Sequence, residues 1–433
     1  MTTPRRYLFA IIDGGGTVPA DTSVIRAMVE RGHDVRVLAD AVLAPDVEAT
    51  GAEHIPWDRA PQRPNLDPQS VIMKDWDTKT PFQAFARVRD GAMTGPAAVF
   101  AADVRAELQR RPADVVVGNF FVFGAQIAAE AEGVPFAFLV SNLLSFPGSG
   151  TPPLGPGLKP ARGPLGRTRD AALNGVMRRV FDKGLDDLNA ARRANGLEPA
   201  GSVLENFERA DRLLLMTSRA FEYESFTPPP NVRLVGPRLD DPAWAGDWTP
   251  PAGDAPLVLV GMSSTYMDHA DVLQRATYAL GRLPVRGVVT TGPAIAVDAM
   301  EAPANVTVLE RAPHREVLRH ASAVVTHAGH GTVLKALAAG VPVVAMPLGR
   351  DQLDNAARVA HHGAGLRLKP KASTDAIAAA LQRVLDEPSF AANAERLAAG
   401  IAAELAEDRA AGELELLAAG SRSGGSAPVP TTP

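Results

Sequence analysis

The 433-residue chain contains no cysteine, which excludes disulfides, thiolate chemistry and cysteine-ligated metal sites. It has no apolar run of about 18 or more residues, so no membrane-spanning helix is expected. A basic surplus is also missing. Lys and Arg number 44 against 49 Asp and Glu, for a formal net charge of −5, whereas nucleic-acid binders usually carry a positive excess. The N-terminal "MTTPRRYLFAIID" has two arginines, but Asp13 and Gly14 interrupt its apolar run. No small-residue cleavage site follows, so it does not read as a signal peptide, and the cytoplasm is the expected compartment. What is present is ordinary for a globular protein: 46% hydrophobic and 21% charged residues. The length exceeds one ordinary core and predicts two domains.

The order of elements supports that division. "YLFAII" is an apolar strand, "GGGTVPA" breaks it, and Pro19 suits the first turn of a helix. Gly32 stops that helix before "HDVRVLA" begins a second strand. The alternation recurs in "ADVVVG", "AQIAAEAEG" and "VPFAFLV", then restarts in "LVLVGM", "RGVVTT", "NVTVLE", "SAVVTH" and "VPVVAMP". Strands alternating with helices predict parallel, doubly wound α/β sheets. The expected organisation is an N-terminal domain over 1–236, a Pro- and Asp-rich linker over 237–256 and a second domain over 257–420. The terminal helix of the second domain is free to pack back on the first. Residues 421–433, "SRSGGSAPVPTTP", read as a disordered tail. Residues 147–166 are so rich in Pro and Gly that they read as a loop, and long loops inside domains are often functional.

The most informative stretch is "HAGHGTVLKALAAGVPVVAMPLGRDQ", His327 to Gln352. A buried strand ends at His327, a helix starts near Gly331 and Thr332, and a parallel strand then runs into Pro347. Unpaired amides and the positive end of a helix dipole at such a start attract phosphate. Thr332 adds a hydroxyl donor, and His327 can hydrogen-bond an oxygen. Asp351 and Gln352 follow the next strand and so stand on the same carboxyl rim, where ligands of open α/β folds bind. A carboxylate and an amide suit two adjacent sugar hydroxyls. The residues therefore predict a site for a sugar joined to a diphosphate.

Residues 305–368, which contain that stretch, resemble the donor half of family 1 glycosyltransferases of the GT-B fold, in the style of the bacterial branch that acts on natural products. The similarity extends more weakly through "RGHDVRVLAD", "VPFAFL" and "VRLVGPRLDD". It implies two Rossmann-like domains facing across a cleft, and an inverting, metal-independent, cofactor-free transfer from a UDP- or dTDP-sugar to a hydrophobic small molecule. The acidic balance argues against a nucleic-acid partner, and a monomer or homodimer is expected. By the same resemblance His327 and Thr332 hold the diphosphate, with Gly329, His330 and Gly331 lining it and Ser264 touching it. Asp351 and Gln352 hold the sugar. Ala312 contacts the base, and His314 lies on the ribose side. Arg311 stands where an aromatic usually stacks on the base; a guanidinium can stack too. Lys335 stands where many UDP-sugar enzymes grip the ribose with a glutamate. A deoxyribose donor needs no such grip, which tilts the reading toward dTDP-sugars.

The family's His–Asp catalytic pair is absent: Thr17 stands about where the histidine belongs, and Gly118 and Asn119 where the aspartate would fall. Asp13, at the end of the first strand, is the nearest ionisable replacement and the candidate base, against the plainer role of capping the glycine loop. Trp76, Phe82, Phe85 and Phe120 are candidates for an apolar acceptor pocket, with core packing as the competing role. The missing pair leaves two other readings open: a catalytically weak nucleotide-sugar-binding auxiliary protein of another transferase, and a C-glycosyltransferase.

Overall fold

The computed structural model describes residues 3–65, 67–74, 77–241, 245–263 and 267–420. Ser264, Trp76 and the 421–433 segment lie outside the described residues. Within them the chain forms two parallel sheets. The first contains β1 (Arg6–Ala10), β2 (Asp34–Ala39), β3 (Glu53–Pro56), β4 (Val115–Asn119), β5 (Phe136–Val140), β6 (Arg212–Leu215) and β7 (Val232–Leu234). Their order across the sheet is β3-β2-β1-β4-β5-β6-β7. The second contains β8 (Leu257–Gly261), β9 (Arg286–Thr290), β10 (Val306–Leu309), β11 (Ala321–Thr326), β12 (Val343–Ala345) and β13 (Gly365–Arg367), in the order β10-β9-β8-β11-β12-β13. In both sheets the chain order reverses beside the first strand, which opens a crevice at the carboxyl ends of the strands.

The central strands are apolar throughout because helices cover both faces of each sheet. Side chains alternate between those faces. Leu8 and Ala10 enter one core of the first sheet, while Tyr7 and Phe9 enter the other. Leu257 and Leu259 similarly part from Val258 and Val260 in the second sheet. The last helix, Arg409–Gly420, returns to the first sheet. Its Ala410, Ala411, Leu414 and Ala418 pack with Tyr7 and Phe9, and Tyr7 Oη donates to the Leu414 carbonyl at 3.3 Å.

One segment differs from the sequence expectation in an instructive way. The Pro/Gly-rich stretch read as a loop to residue 166 ends earlier, because a 20-residue helix, Gly163–Asp182, begins inside it. Proline near a helix N-terminus costs no hydrogen bond, so Pro164 is compatible with a helical start. In the inter-sheet segment Asp241 crosses to Lys335, with an Nζ–Oδ1 distance of 2.5 Å.

Candidate active site

Between the two sheets lies a cavity of about 2080 Å³, lined from both halves of the chain. The helix His330–Ala338 points its start into this space. The first amide bond of that helix runs from Val333 N to Gly329 O. Among the described residues, the N–H groups of His330, Gly331 and Thr332 donate no hydrogen bond. Three adjacent amides are thus left for a ligand, at the positive end of the helix dipole. Gly331 and Thr332 line the cavity, and a Cβ added at Gly331 would meet nothing within 4 Å.

His327 stands beside this helix start. Its Nε2 lies 2.5 Å from where a Cβ on Gly329 would be, so only glycine lets the ring lie across the turn. The intervening Ala328 has φ +67°, and Arg350, on the neighbouring loop, has φ +54°. Left-handed backbone at non-glycine residues is costly and clusters at ligand sites. Burial first, then the charges of His269, Arg350 and His314, push the His327 imidazole down to about 3. The ring is therefore neutral, with one nitrogen a donor and the other an acceptor. His314 is likewise pushed down, to about 4, by burial and by the Lys335 ammonium, and its Nε2 is 2.9 Å from Thr290 Oγ1.

The acid–amide pair meets the same cavity from the next strand. Asp351 holds the N-cap position of the helix Gln352–His361 without a side-chain cap; its Oδ2 accepts from Asn355 Nδ2 at 3.0 Å, and its Oδ1 has no partner among the described residues. Gln352 Oε1 is occupied by the amides of Leu348 and Gly349 at 2.7 and 3.0 Å. The Gln352 carbonyl therefore fixes the loop, and its Nε2, 3.5 Å from Met267 Sδ, is the group left for a ligand.

Other expected donor contacts are placed differently. His330 turns its ring away from the helix start: Nδ1 is 3.0 Å from Asn355 Oδ1 and Nε2 is 3.4 Å from the Met216 carbonyl. Only its backbone amide is open at the helix start. Ala312 lines the cavity. Arg311 also lines it, but its guanidinium pairs with the adjacent Glu310 at 2.6 and 2.8 Å. Lys335 faces the cavity with its charge met by Asp241, whose other oxygen accepts from Arg315 N at 2.9 Å. This pairing joins residues 94 apart in sequence. The only sequence signal for it was the Asp-rich "LDD".

On the opposite wall, Asp13 and Asn119 are engaged by other groups of the protein, and Thr17 is not. Asp13 lines the cavity, but its Oδ2 is 2.5 Å from Arg63 Nη1 and its Oδ1 accepts from Gly15 N at 2.8 Å. These contacts describe a carboxylate that fixes the glycine loop. Asn119 does not reach the cavity. It is 1% exposed and donates to the Ile12 carbonyl at 3.1 Å and to Asp21 Oδ2 at 3.4 Å. Strand alternation sends its side chain under the loop, and burial pushes the neighbouring Asp21 carboxyl up to about 8. Thr17 holds the N-cap position of Val18–Glu30 without making a side-chain cap, and its buried Oγ1 has no partner among the described residues. A carboxylate not anticipated from sequence, Asp46, also lines this wall without a hydrogen-bond partner among the described residues. Burial, and then the Asp13 charge, raise its proton affinity.

Beyond that wall the cavity is apolar and aromatic. Phe82, Phe85 and Phe120 line it, together with Phe121, Phe181 and Phe207. Phe85 meets Phe181 edge-on at 4.5 Å, and Phe120 stacks on Phe207 at 5.5 Å. Phe82 is 57% exposed, which marks it as a rim residue rather than core. Among the described residues no three His, Asp or Glu side chains group as a metal ion would require, and no helix is long and apolar enough to cross a membrane.

Comparison with known proteins agrees with this architecture. Residues 279–417 match the erythromycin biosynthesis protein CIII-like C-terminal domain. The chain is 35% identical over 402 residues to 4'-demethylrebeccamycin synthase of Lentzea aerocolonigenes, spanning 90% of this chain and 94% of that protein. It is 26% identical to the oleandomycin glycosyltransferase of Streptomyces antibioticus, spanning 96% and 91%. Among solved structures, the calicheamicin glycosyltransferase CalG4 superposes with a TM-score of 0.74 at 22% identity, covering 96% of this chain and 98% of that one. The glycosyltransferase VinC, solved in complex with dTDP, superposes at 0.69 with 20% identity, covering 96% and 99%. With two parallel α/β sheets enclosing one cleft, and a relative of this similarity along nine-tenths of its length, the chain belongs to the GT-B glycosyltransferases of natural-product biosynthesis.

Proposed function

We propose that the enzyme moves a hexose or deoxyhexose from a UDP- or dTDP-sugar to a hydrophobic small molecule, inverting the anomeric carbon and using neither metal nor cofactor. The observation that carries this reading is that one cavity holds both the unbonded amides of the His330–Ala338 helix and the aromatic chamber of the first half. The amides and the neutral His327 stabilise the departing diphosphate, where charge develops. Asp351 and the Gln352 amide nitrogen hold the sugar between the two walls. An acceptor in the aromatic chamber then approaches the anomeric carbon from the side opposite the diphosphate, which favours inversion. Lys335, in place of an acid, supports a thymidine donor, and VinC was solved with dTDP.

In this reaction the acceptor oxygen bonds to the anomeric carbon while the bond from that carbon to the phosphate oxygen breaks. The electron pair leaves with the diphosphate, and the acceptor proton goes to a base. Asp46 is the base in this reading, because it faces the cavity with no hydrogen-bond partner among the described residues while Asp13 is held by Arg63. Its raised proton affinity requires the rate to climb with pH through a value above the ordinary carboxylate range.

The test uses an α-linked dTDP- or UDP-sugar and a phenolic or alcoholic acceptor. The expected product is the β-anomer by NMR, at a rate that a chelator leaves unchanged. Asp46→Asn is expected to lower kcat about a hundredfold or more with donor KM retained, and to remove the acidic limb of the pH profile. An α-product, or wild-type kcat in Asp46→Asn, contradicts the assignment.

A further inference from the structure

The Pro/Gly-rich excursion of the first half does not end at its own domain. Its Pro153, Leu154, Gly155 and Pro156 line the cavity, and it then crosses to the second half. There the N–H groups of Gly155 and Gly157 both donate to the carboxylate of Asp354, at 2.6 Å to Oδ2 and 3.1 Å to Oδ1. Asp354 is 2% exposed and sits in the first turn of Gln352–His361, three residues after Asp351 and two after Gln352. Arg367 Nη1 also donates to the Gly157 carbonyl at 3.3 Å, and Tyr223 Oη to the Leu158 carbonyl at 3.1 Å. The approach is close: a Cβ on Gly157 would fall 2.5 Å from the Leu353 carbonyl, and Gly157 itself has φ +61°.

One turn further along the same helix, Arg358 is buried against Glu222 of the first half, at 2.7 and 3.0 Å. Its guanidinium lies 4.4 Å from the centre of the Tyr223 ring. The first half therefore grips this helix at Asp354, at Arg358 and, at its far end, at His361, whose Nε2 is 3.1 Å from Glu224 Oε2. The Arg358 grip is side chain to side chain within buried packing. The Asp354 grip is different, since it ties backbone that walls the cavity to the residues that face the sugar.

We infer that Asp354 is a positioning residue for the transfer step: by holding the 153–158 segment onto the helix that carries Asp351 and Gln352, it sets the acceptor wall against the sugar and keeps water out between them. The inference rests on the functional reading above and concerns an interaction that reading does not need for donor binding. Without the latch the segment lifts, and water competes for the anomeric carbon. The water oxygen then bonds to that carbon, the bond from that carbon to the phosphate oxygen breaks with its electron pair on the diphosphate, and a proton is released to solvent. The sugar is lost rather than transferred.

The test measures sugar transfer and donor hydrolysis separately in wild type, Asp354→Ala and Gly157→Ala. The last variant disturbs the latch from the loop side and leaves the carboxylate intact. In both variants kcat for transfer is expected to fall about tenfold, because a displacement near 1 Å costs that much or more. Donor KM changes less than about threefold, and the ratio of hydrolysis to transfer rises at least about fivefold, on the same ground. Asp354→Asn, which keeps one acceptor oxygen, falls between wild type and Asp354→Ala. Transfer and hydrolysis falling in parallel would mean a purely structural role and overturn the inference, as would an unchanged ratio in both variants. A wild-type enzyme that transfers no sugar to any acceptor would instead sink the functional reading, and the latch's role with it.

Discussion

Gly331→Asp is expected to leave the protein folded and to abolish donor binding. A Cβ added there meets no atom within 4 Å, so the side chain starts in open space. An acid in the first turn of a helix is favourable to that helix by about 0.3–1 kcal/mol. The same carboxylate would project to where the diphosphate belongs. Two like charges about 4–5 Å apart at an effective dielectric near 20 repel by about 3–4 kcal/mol, more than a hundredfold in Kd. Thermal shift with dTDP or UDP separates the effects: the unliganded Tm stays within a few degrees of wild type, and the ligand-induced rise disappears. A ligand-induced rise equal to that of wild type would show that the helix start is not where the phosphates sit.

His327→Ala is expected to lower kcat/KM about 10²–10³-fold, the usual cost of deleting one preorganised donor at a developing negative charge. The substitution also has a signature in stability. Folded His327 stays neutral down to about pH 3, whereas an unfolded histidine takes a proton near its model value of 6.5. Between those values the unfolded state binds more protons, so the wild-type ring removes stability as pH falls from about 6.5 toward 3. The alanine variant lacks that contribution, and its Tm should decline less on acidification than that of wild type. An equal decline would mean that the ring is not held neutral by burial. A kcat/KM within about threefold of wild type would remove His327 from the reacting centre.

Much of the donor side was legible because its signals are local. Gly329, Gly331 and Thr332 open one helix, and Asp351 and Gln352 follow the adjacent parallel strand, so chain order alone put them on one rim. His330 is less legible. Its orientation depends on Asn355 and on the Met216 carbonyl from the other half, which no local pattern reveals. Lys335 was recognised as an oddity, but the carboxylate that answers it comes from the linker, 94 residues away. The acceptor side was less legible for the same reason. Asn119 and Asp13 sit at strand ends, where a single residue of alternation or one arginine decides whether a side chain faces the cavity. Arg63, which takes Asp13, belongs to no motif. Aromatic residues could be chosen from sequence, but only the fold separates Phe82 on the rim from Phe123 in the core. The interdomain latch depends on backbone amides of Gly155 and Gly157, which carry no side-chain signal at all.

The central claim is that the open end of the His330–Ala338 helix is the seat of the donor's leaving group. Its most direct test is a crystal structure of the wild-type protein with dTDP or UDP bound. The expected result places oxygens of the terminal phosphate about 3 Å from the amide nitrogens of Gly331 and Thr332 and from the His327 ring, with the nucleoside running toward Ala312 and His314. A nucleotide bound elsewhere in the cavity, with those amides facing only solvent, would contradict it.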